Sequence, residues 1–267
     1  MKTNTVQDIR DRFRTLYQLG LLEKLFPVNE FVTDRSGCKM LEIRSASFVA
    51  DEPSIFGTVN SDYIERELEW YRSMSLNIHD IPRGAGPGHA APQAWTAAAS
   101  PTGEINSNYG WCIWHTDNYK QYHNVVTELT RNPSSRRAVM IYTRPSMWVD
   151  FDAGGKSDFM CTNAVQYMIR DGLLETVVQM RSNDVVYGYK NDFAWQKYVR
   201  DMLAAQLKVE PGVIYWNVGS LHIYEKHFDL VANYHLAEIA RDAAQRQKPF
   251  DFDDQEAAFV GMGGAHE

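Results

Sequence analysis

The residues with most chemistry in them are one thiol and two acids. Cys161 lies in the run Asp158-Phe159-Met160-Cys161-Thr162-Asn163, at the start of a segment that alternates like a strand. A thiol becomes a useful nucleophile at neutral pH when neighbouring cations lower its pKa. The chain offers several arginines for that task. Arg131, Arg136, Arg137 and Arg144 fall close together, and their guanidinium forks suit a phosphate dianion better than lysine would. Taken alone, a free cysteine is more often a core residue, and an arginine group is as often a solvated edge. The acids are Glu67, in a helical pattern, and Asp192, in Tyr189-Lys190-Asn191-Asp192-Phe193-Ala194-Trp195. A carboxylate facing inward is suited to carrying protons, whereas one at a helix start is often only a cap.

Other chemistries are not signalled. HExxH, Walker, GxSxG and paired CxxC patterns are absent, and His222 with His227 is too weak a pair to argue for a metal. Cys38, Cys112 and Cys161 stand at wide spacings in odd number, which fits reduced thiols rather than disulfides; Cys38 and Cys112 are assigned structural roles. A net charge of −7 disfavours a basic face for polymeric nucleic acid. No apolar run approaches the roughly 18 residues that span a bilayer, and the N-terminus lacks a signal-peptide apolar region. A cytoplasmic protein without a membrane partner is expected. With 267 residues and no break in composition, residues 1–267 are expected to form a single domain.

The elements that must position these residues are readable in outline. Residues 62–75 predict a helix with Asp62 as N-cap and Ile64, Leu68, Tyr71 and Met74 on one face. Glu67 falls on that face, while Glu65 and Glu69 point away; an ion-paired glutamate is the plain alternative. Residues 118–130 predict a helix through Tyr122, Val125, Val126 and Leu129 that stops at Asn132-Pro133, and a strand follows over 137–142. Across 161–169 the period is two, with Thr162, Ala164, Gln166 and Met168 on one side. Asp171-Gly172 closes a hairpin whose return strand delivers Arg181-Ser182-Asn183-Asp184 to a pocket. A helix over 191–207, a strand over 212–218 leading into 220–224, and a helix over 226–246 complete an α/β chain. Residues 83–89 form a glycine-rich loop without the spacing of a dinucleotide fingerprint.

Several runs together resemble a known family. Pro133-Ser134-Ser135-Arg136-Arg137, Cys161 with its strand, Arg181-Ser182-Asn183-Asp184, Gly188 and His222-Ile223-Tyr224 look like the motif series of thymidylate synthases, in the same order. FVADEPSIFG, RELEWY, GEINSNYGW, SRRAVMIYTRPSM, SDFMCTNAVQY, MRSNDVVYGY, NDFAWQKYV and WNVGSLH are similar to one branch, the deoxycytidylate hydroxymethylases of T-even-like phages. The resemblance implies an α/β (α+β) thymidylate synthase fold, a large mixed β-sheet flanked by helices, in a sheet-to-sheet homodimer.

It also implies a reaction without metal. Cys161 would add to carbon 6 of a pyrimidine nucleoside monophosphate, and carbon 5 would attack the one-carbon unit of 5,10-methylenetetrahydrofolate. Water would then add to the exocyclic methylene, giving a hydroxymethyl group and tetrahydrofolate. Glu67 matches the family's catalytic glutamate and would relay protons. Asp192 stands where thymidylate synthases carry an asparagine that reads uracil, and an aspartate suits the amino group and unprotonated ring nitrogen of cytosine. By the same registration Arg35, Arg181 and Ser182 would hold the 5′-phosphate, with Arg136 and Arg137 reaching the phosphate of the neighbouring subunit's site. His222 and Tyr224 would bond the sugar hydroxyl, and Asp184 and Asn217 would be folate or pocket contacts. Tyr109 would lie near the thiol and Trp95 near the folate, with simple aromatic core as the alternative for both. Thr162 departs from the histidine that commonly follows the nucleophile. A CMP hydroxymethylase of nucleoside-antibiotic biosynthesis, a dUMP hydroxymethylase, a thymidylate synthase and a noncatalytic nucleotide-binding scaffold stand as alternatives; Asp192 argues against the uracil pair, and Cys161 against a scaffold.

Overall fold

The computed structural model describes residues 3–22, 31–33, 37–84 and 91–246; Arg35 and residues 85–90 of the glycine-rich loop lie outside the described residues. Six strands, β1 (Phe31–Thr33), β2 (Lys39–Val49), β3 (Val139–Ile141), β4 (Thr162–Arg170), β5 (Leu173–Asp184) and β6 (Glu210–Tyr224), form one sheet in the order β1-β2-β6-β5-β4-β3. The helices are α1 (Val6–Leu22), α2 (Ser61–Ser73), α3 (Gln93–Ala98), α4 (Tyr109–Trp114), α5 (Gln121–Arg131), α6 (Met147–Asp150), α7 (Gly188–Leu207) and α8 (Phe228–Arg246). β5 and β6 are parallel and every other pair is antiparallel. A parallel pair cannot be joined by a tight turn, and α7 supplies the crossover. The β4–β5 hairpin closes at Asp171 (φ 52) and Gly172 (φ 79), two left-handed residues that match the twist of the flanking strands.

One face of the sheet carries the core. Phe48, Trp216, Val178, Val165 and Met140 are successive cross-strand neighbours and all are buried, packed in one cluster with Trp195, Val199 and Leu203 of α7. Ser47, Asn217, Gln179, Tyr215, Val177 and Gln166 occupy the opposite face and are half-buried or exposed.

Three strands break their alternation at the same level. Burial skips from Ile43 to Ala46 on β2, from Val218 to Leu221 on β6 and from Met180 to Asn183 on β5. Ile43, Leu221 and Asn183 are cross-strand neighbours, and so are Ala46, Val218 and Met180, so the extra residues line up across the sheet. On β4 the skip comes one step along, between Thr162 and Val165, where the register with β5 shifts. One extra residue in a strand moves all that follows to the other face. Strict alternation would leave Thr162 beside Gln166 on the open face; instead it is fully buried.

Local signals set the helices that hold the pocket. The cap of α2 is Asn60, two residues before the expected Asp62; its side chain accepts from Tyr63 N at 3.1 Å, a contact of about 1 kcal/mol. The buried stripe is Tyr63, Glu67, Trp70 and Tyr71, with Ile64, Leu68 and Met74 half-buried beside it. α4 docks on the end of α2 through Asn108, which donates to Trp70 O (3.0 Å) and Ser75 O (2.8 Å). Gly110 completes that contact, since a Cβ there would lie 1.8 Å from Tyr71 O. α7 begins three residues before the expected start, so Asp192 sits a turn inside it rather than at its cap.

Candidate active site

The segment before Cys161 is pinned by Asp158. Its buried carboxylate accepts from Asn106 N (2.6 Å), Ser107 N (2.8 Å) and Ser107 Oγ (2.6 Å). Arg181 holds the other side. Its guanidinium donates to Phe159 O (2.7 Å) and Met160 O (3.0 Å), lies over the Phe159 ring, and brings Nη2 to 3.5 Å from Cys161 Sγ. Burial nevertheless pushes the Cys161 thiol up to about 11; Arg181 opposes this, while Asp192 and Asp158 add to it. The cationic surroundings expected for a thiolate thus reduce, among the described residues, to one arginine, and burial outweighs it. Arg137 pairs with Glu128 (3.0 Å) and Arg144 with Asp150 (2.9 Å), while Arg136 is exposed ahead of β3, at the end remote from Cys161.

Asp192 faces the same pocket from α7. Asn183 Nδ2 donates to its Oδ2 at 2.7 Å and the Tyr109 hydroxyl to its Oδ1 at 3.2 Å; Thr162 Oγ1 donates in turn to Tyr109 at 3.0 Å. Burial and the nearby Glu67 carboxylate raise Asp192 to about 7, against the pull of those two donors. The surroundings of Asp192 thus favour the protonated acid more than those of an exposed aspartate would.

Glu67 projects from the inward face of α2 and is 4% exposed. The Tyr63 hydroxyl, one helical turn earlier, donates to Oε1 at 2.5 Å, and Trp95 Nε1 donates to the same oxygen at 3.0 Å and to the Tyr63 oxygen at 2.9 Å. Burial raises Glu67 above the usual carboxylate range, and the bonds from Tyr63 and Trp95 pull it back. Tyr71 stacks on Tyr109 with ring centres 5.3 Å apart, forming an aromatic wall between the Glu67 and Asp192 corners.

The remaining predicted positions divide. Ser182 and His222 lie at the pocket ends of β5 and β6, His222 buried with its ring edge-on to Tyr224 at 5.1 Å. Asp184 accepts from Val186 N (3.0 Å) and Tyr187 N (3.1 Å), which fixes the turn into α7. Asn217 is not brought to Cys161: it lies on the open face, where Ser47 Oγ donates to its Oδ1 at 2.8 Å. Tyr63 is not singled out by the sequence, and Asn183 enters only as a member of the polar run Arg181-Ser182-Asn183-Asp184, with no role of its own. A tyrosine four residues before Glu67 is the signal that would have found the first; the second depends on the extra residue in β5. Among the described residues no group of His, Cys, Asp and Glu gathers as metal ligands would, and no helix is long and apolar enough to cross a membrane.

A mixed sheet whose strand ends converge on a half-buried cysteine, a buried glutamate and a half-buried aspartate defines the class. The chain belongs to the thymidylate synthase family, whose model matches residues 54–250. The crystal structure of thymidylate synthase from T4 phage shares the fold, with a TM-score of 0.62 over 79% of this chain and 77% of that one at 19% identity. Within the family, the deoxycytidylate 5-hydroxymethyltransferase of Enterobacteria phage T4 is 53% identical over 237 residues, covering 86% of this chain and 90% of its own. The thymidylate synthase of Fusobacterium nucleatum is 28% identical over 166 residues, 61% of this chain and 57% of its own.

Proposed function

We propose that the chain is a deoxycytidylate 5-hydroxymethyltransferase, which converts dCMP and 5,10-methylenetetrahydrofolate to 5-hydroxymethyl-dCMP and tetrahydrofolate. The observation that carries this reading is the placement of Asp192, held by Asn183 and by Tyr109, whose hydroxyl is tied in turn to Thr162, the residue after Cys161. Cytosine presents an amino donor beside an unprotonated ring nitrogen. One oxygen of Asp192 accepts from the amino group, and the other shares a proton with ring nitrogen 3.

The chain's own groups then divide the work. Cys161 Sγ bonds carbon 6, and the proton lost by the thiol is balanced by the proton gained at ring nitrogen 3 under Asp192. Carbon 5 becomes the nucleophile, takes the one-carbon unit from the folate and loses its hydrogen as tetrahydrofolate departs. Water adds to the exocyclic methylene and the carbon–sulfur bond breaks. Glu67 moves protons at carbon 5 and orients that water, with its open Oε2 toward the reacting carbon. Trp95, half-buried and tied to Glu67 through Nε1, offers its ring as an apolar wall for the folate. Arg181, Ser182 and Arg35 take the 5′-phosphate, and His222 and Tyr224 the sugar hydroxyl. Arg136 and Arg137, exposed and a strand's length from Cys161, serve the site of a second copy packed on the open face of the sheet.

Purified protein incubated with methylenetetrahydrofolate and dCMP, CMP or dUMP tritiated at carbon 5 tests the reading. Tritium release with a hydroxymethyl product from dCMP is expected. Preference for CMP would reassign the sugar, turnover of dUMP alone would reassign the base, and no release from any nucleotide would leave only a binding protein.

A further inference from the structure

The amide of Asn183 is only half used. Its Nδ2 donates to Asp192 Oδ2 at 2.7 Å, while its Oδ1 is buried, on a residue 3% exposed, with no hydrogen-bond partner among the described residues. Buried amide oxygens are almost always bonded, so an orphan beside a candidate substrate contact points to a missing partner. Two features place this side chain at the site. The extra residue in β5 turns it from the open face toward α7, and Gly188 leaves it room: a Cβ there would come within 3.0 Å of Asn183 Nδ2 and 3.8 Å of Asp192 Oδ2. The neighbouring carboxylate sets the amide's direction, because only its N–H side can face an acceptor.

We infer that Asn183 is a second specificity-determining residue, whose Oδ1 accepts the N–H of the pyrimidine's exocyclic amino group that Asp192 leaves unbonded. The inference rests on the cytosine reading above. An exocyclic amine carries two N–H donors, both of which lose water on entering the pocket, and one carboxylate oxygen satisfies only one of them. At the same place uracil presents a carbonyl, which would meet Asn183 Oδ1 with no proton between the two oxygens. Asp192 thus selects cytosine by attraction, and Asn183 adds a repulsive element against uracil.

The test compares dCMP, N4-methyl-dCMP and dUMP on the parent, Asn183→Ala and Asn183→Leu, using tritium release for kcat/KM and competition for dUMP affinity. Replacing Asn183 is expected to lower kcat/KM for dCMP about tenfold, as for one lost hydrogen bond, while dUMP binding holds or improves. The penalty for N4-methylation should shrink in both variants. A parent without preference for dCMP over dUMP would sink the cytosine reading itself. A parent that prefers dCMP, with variants that keep the same preference and the same N4-methyl penalty, would overturn the role of Asn183 alone. Should neither variant fold, the parent decides: if N4-methylation changes kcat/KM by less than about twofold, below the effect of one hydrogen bond, the second N–H is not read.

Discussion

Glu67 and Asp192 are both carboxylates withdrawn into one pocket and both held by uncharged donors, but the donors are distributed differently. Tyr63 and Trp95 converge on Oε1 of Glu67, while its other oxygen takes no hydrogen bond among the described residues. Tyr109 and Asn183 take one oxygen each of Asp192, so a lone pair remains on both. A carboxyl with a single open oxygen can pass a proton at one point. A carboxyl half open at both oxygens can meet a flat edge that offers a donor and an acceptor side by side. Burial, which the two share, raises both pKa values without telling them apart; the placement of the donors does.

Substitutions that preserve volume can break or sharpen that division. Cys161→Ser removes the nucleophile both acids serve and sets the ceiling: tritium release should fall by about 10⁴-fold or more, with dCMP affinity changed only a few-fold by equilibrium binding. Glu67→Gln should lower kcat about 10²–10⁴-fold while leaving the ratio of dCMP to dUMP affinities where it was. A shifted ratio would show that Glu67 also reads the base. Asp192→Asn should move that ratio toward uracil by about 10²-fold, the worth of two altered hydrogen bonds, and an unmoved ratio would erase the distinction between the two acids. The smallest effect belongs to Tyr63→Phe. Losing a donor raises the pKa of Glu67, so the acid limb of the kcat/KM profile should move to higher pH by about half to one unit. A purely structural role for Tyr63 would lower activity without moving that limb.

The sequence carried the pocket's strands more clearly than its helices. Period-two alternation and Asp171-Gly172 were enough for the β4–β5 hairpin, because both signals are local. The inward face of Glu67 was legible from spacing, yet the cap fell to Asn60 rather than Asp62, two residue types that cap equally well. α1 went unread although Thr5 and Asp8 form a capping box, Asp8 Oδ2 accepting from Thr5 N at 2.8 Å, with Val6, Ile9 and Phe13 buried behind it. The protonation of Cys161 could not be read at all, since it depends on burial outweighing a single arginine. Asn183 stands in a polar run expected at the pocket and Thr162 beside the nucleophile, but neither alternation reveals that its side chain is buried on the core face. Only the register between strands shows that both have changed sides.

The aligned extra residues have a consequence for how the chain tolerates length changes. Ser45, with its left-handed φ of 54, and Gly219, where a Cβ would approach Arg181 O to 2.9 Å, mark the boundary on β2 and β6. Removing one residue from a single strand at this boundary would put half of that strand out of frame with its neighbours, exposing core side chains and burying polar ones. Removing the matching residue from all three, together with the extra residue of β4 one step along, would restore a regular sheet and, in the same stroke, aim Asn183 out of the pocket. Along this line the number of residues is as much a part of the binding site as their identity.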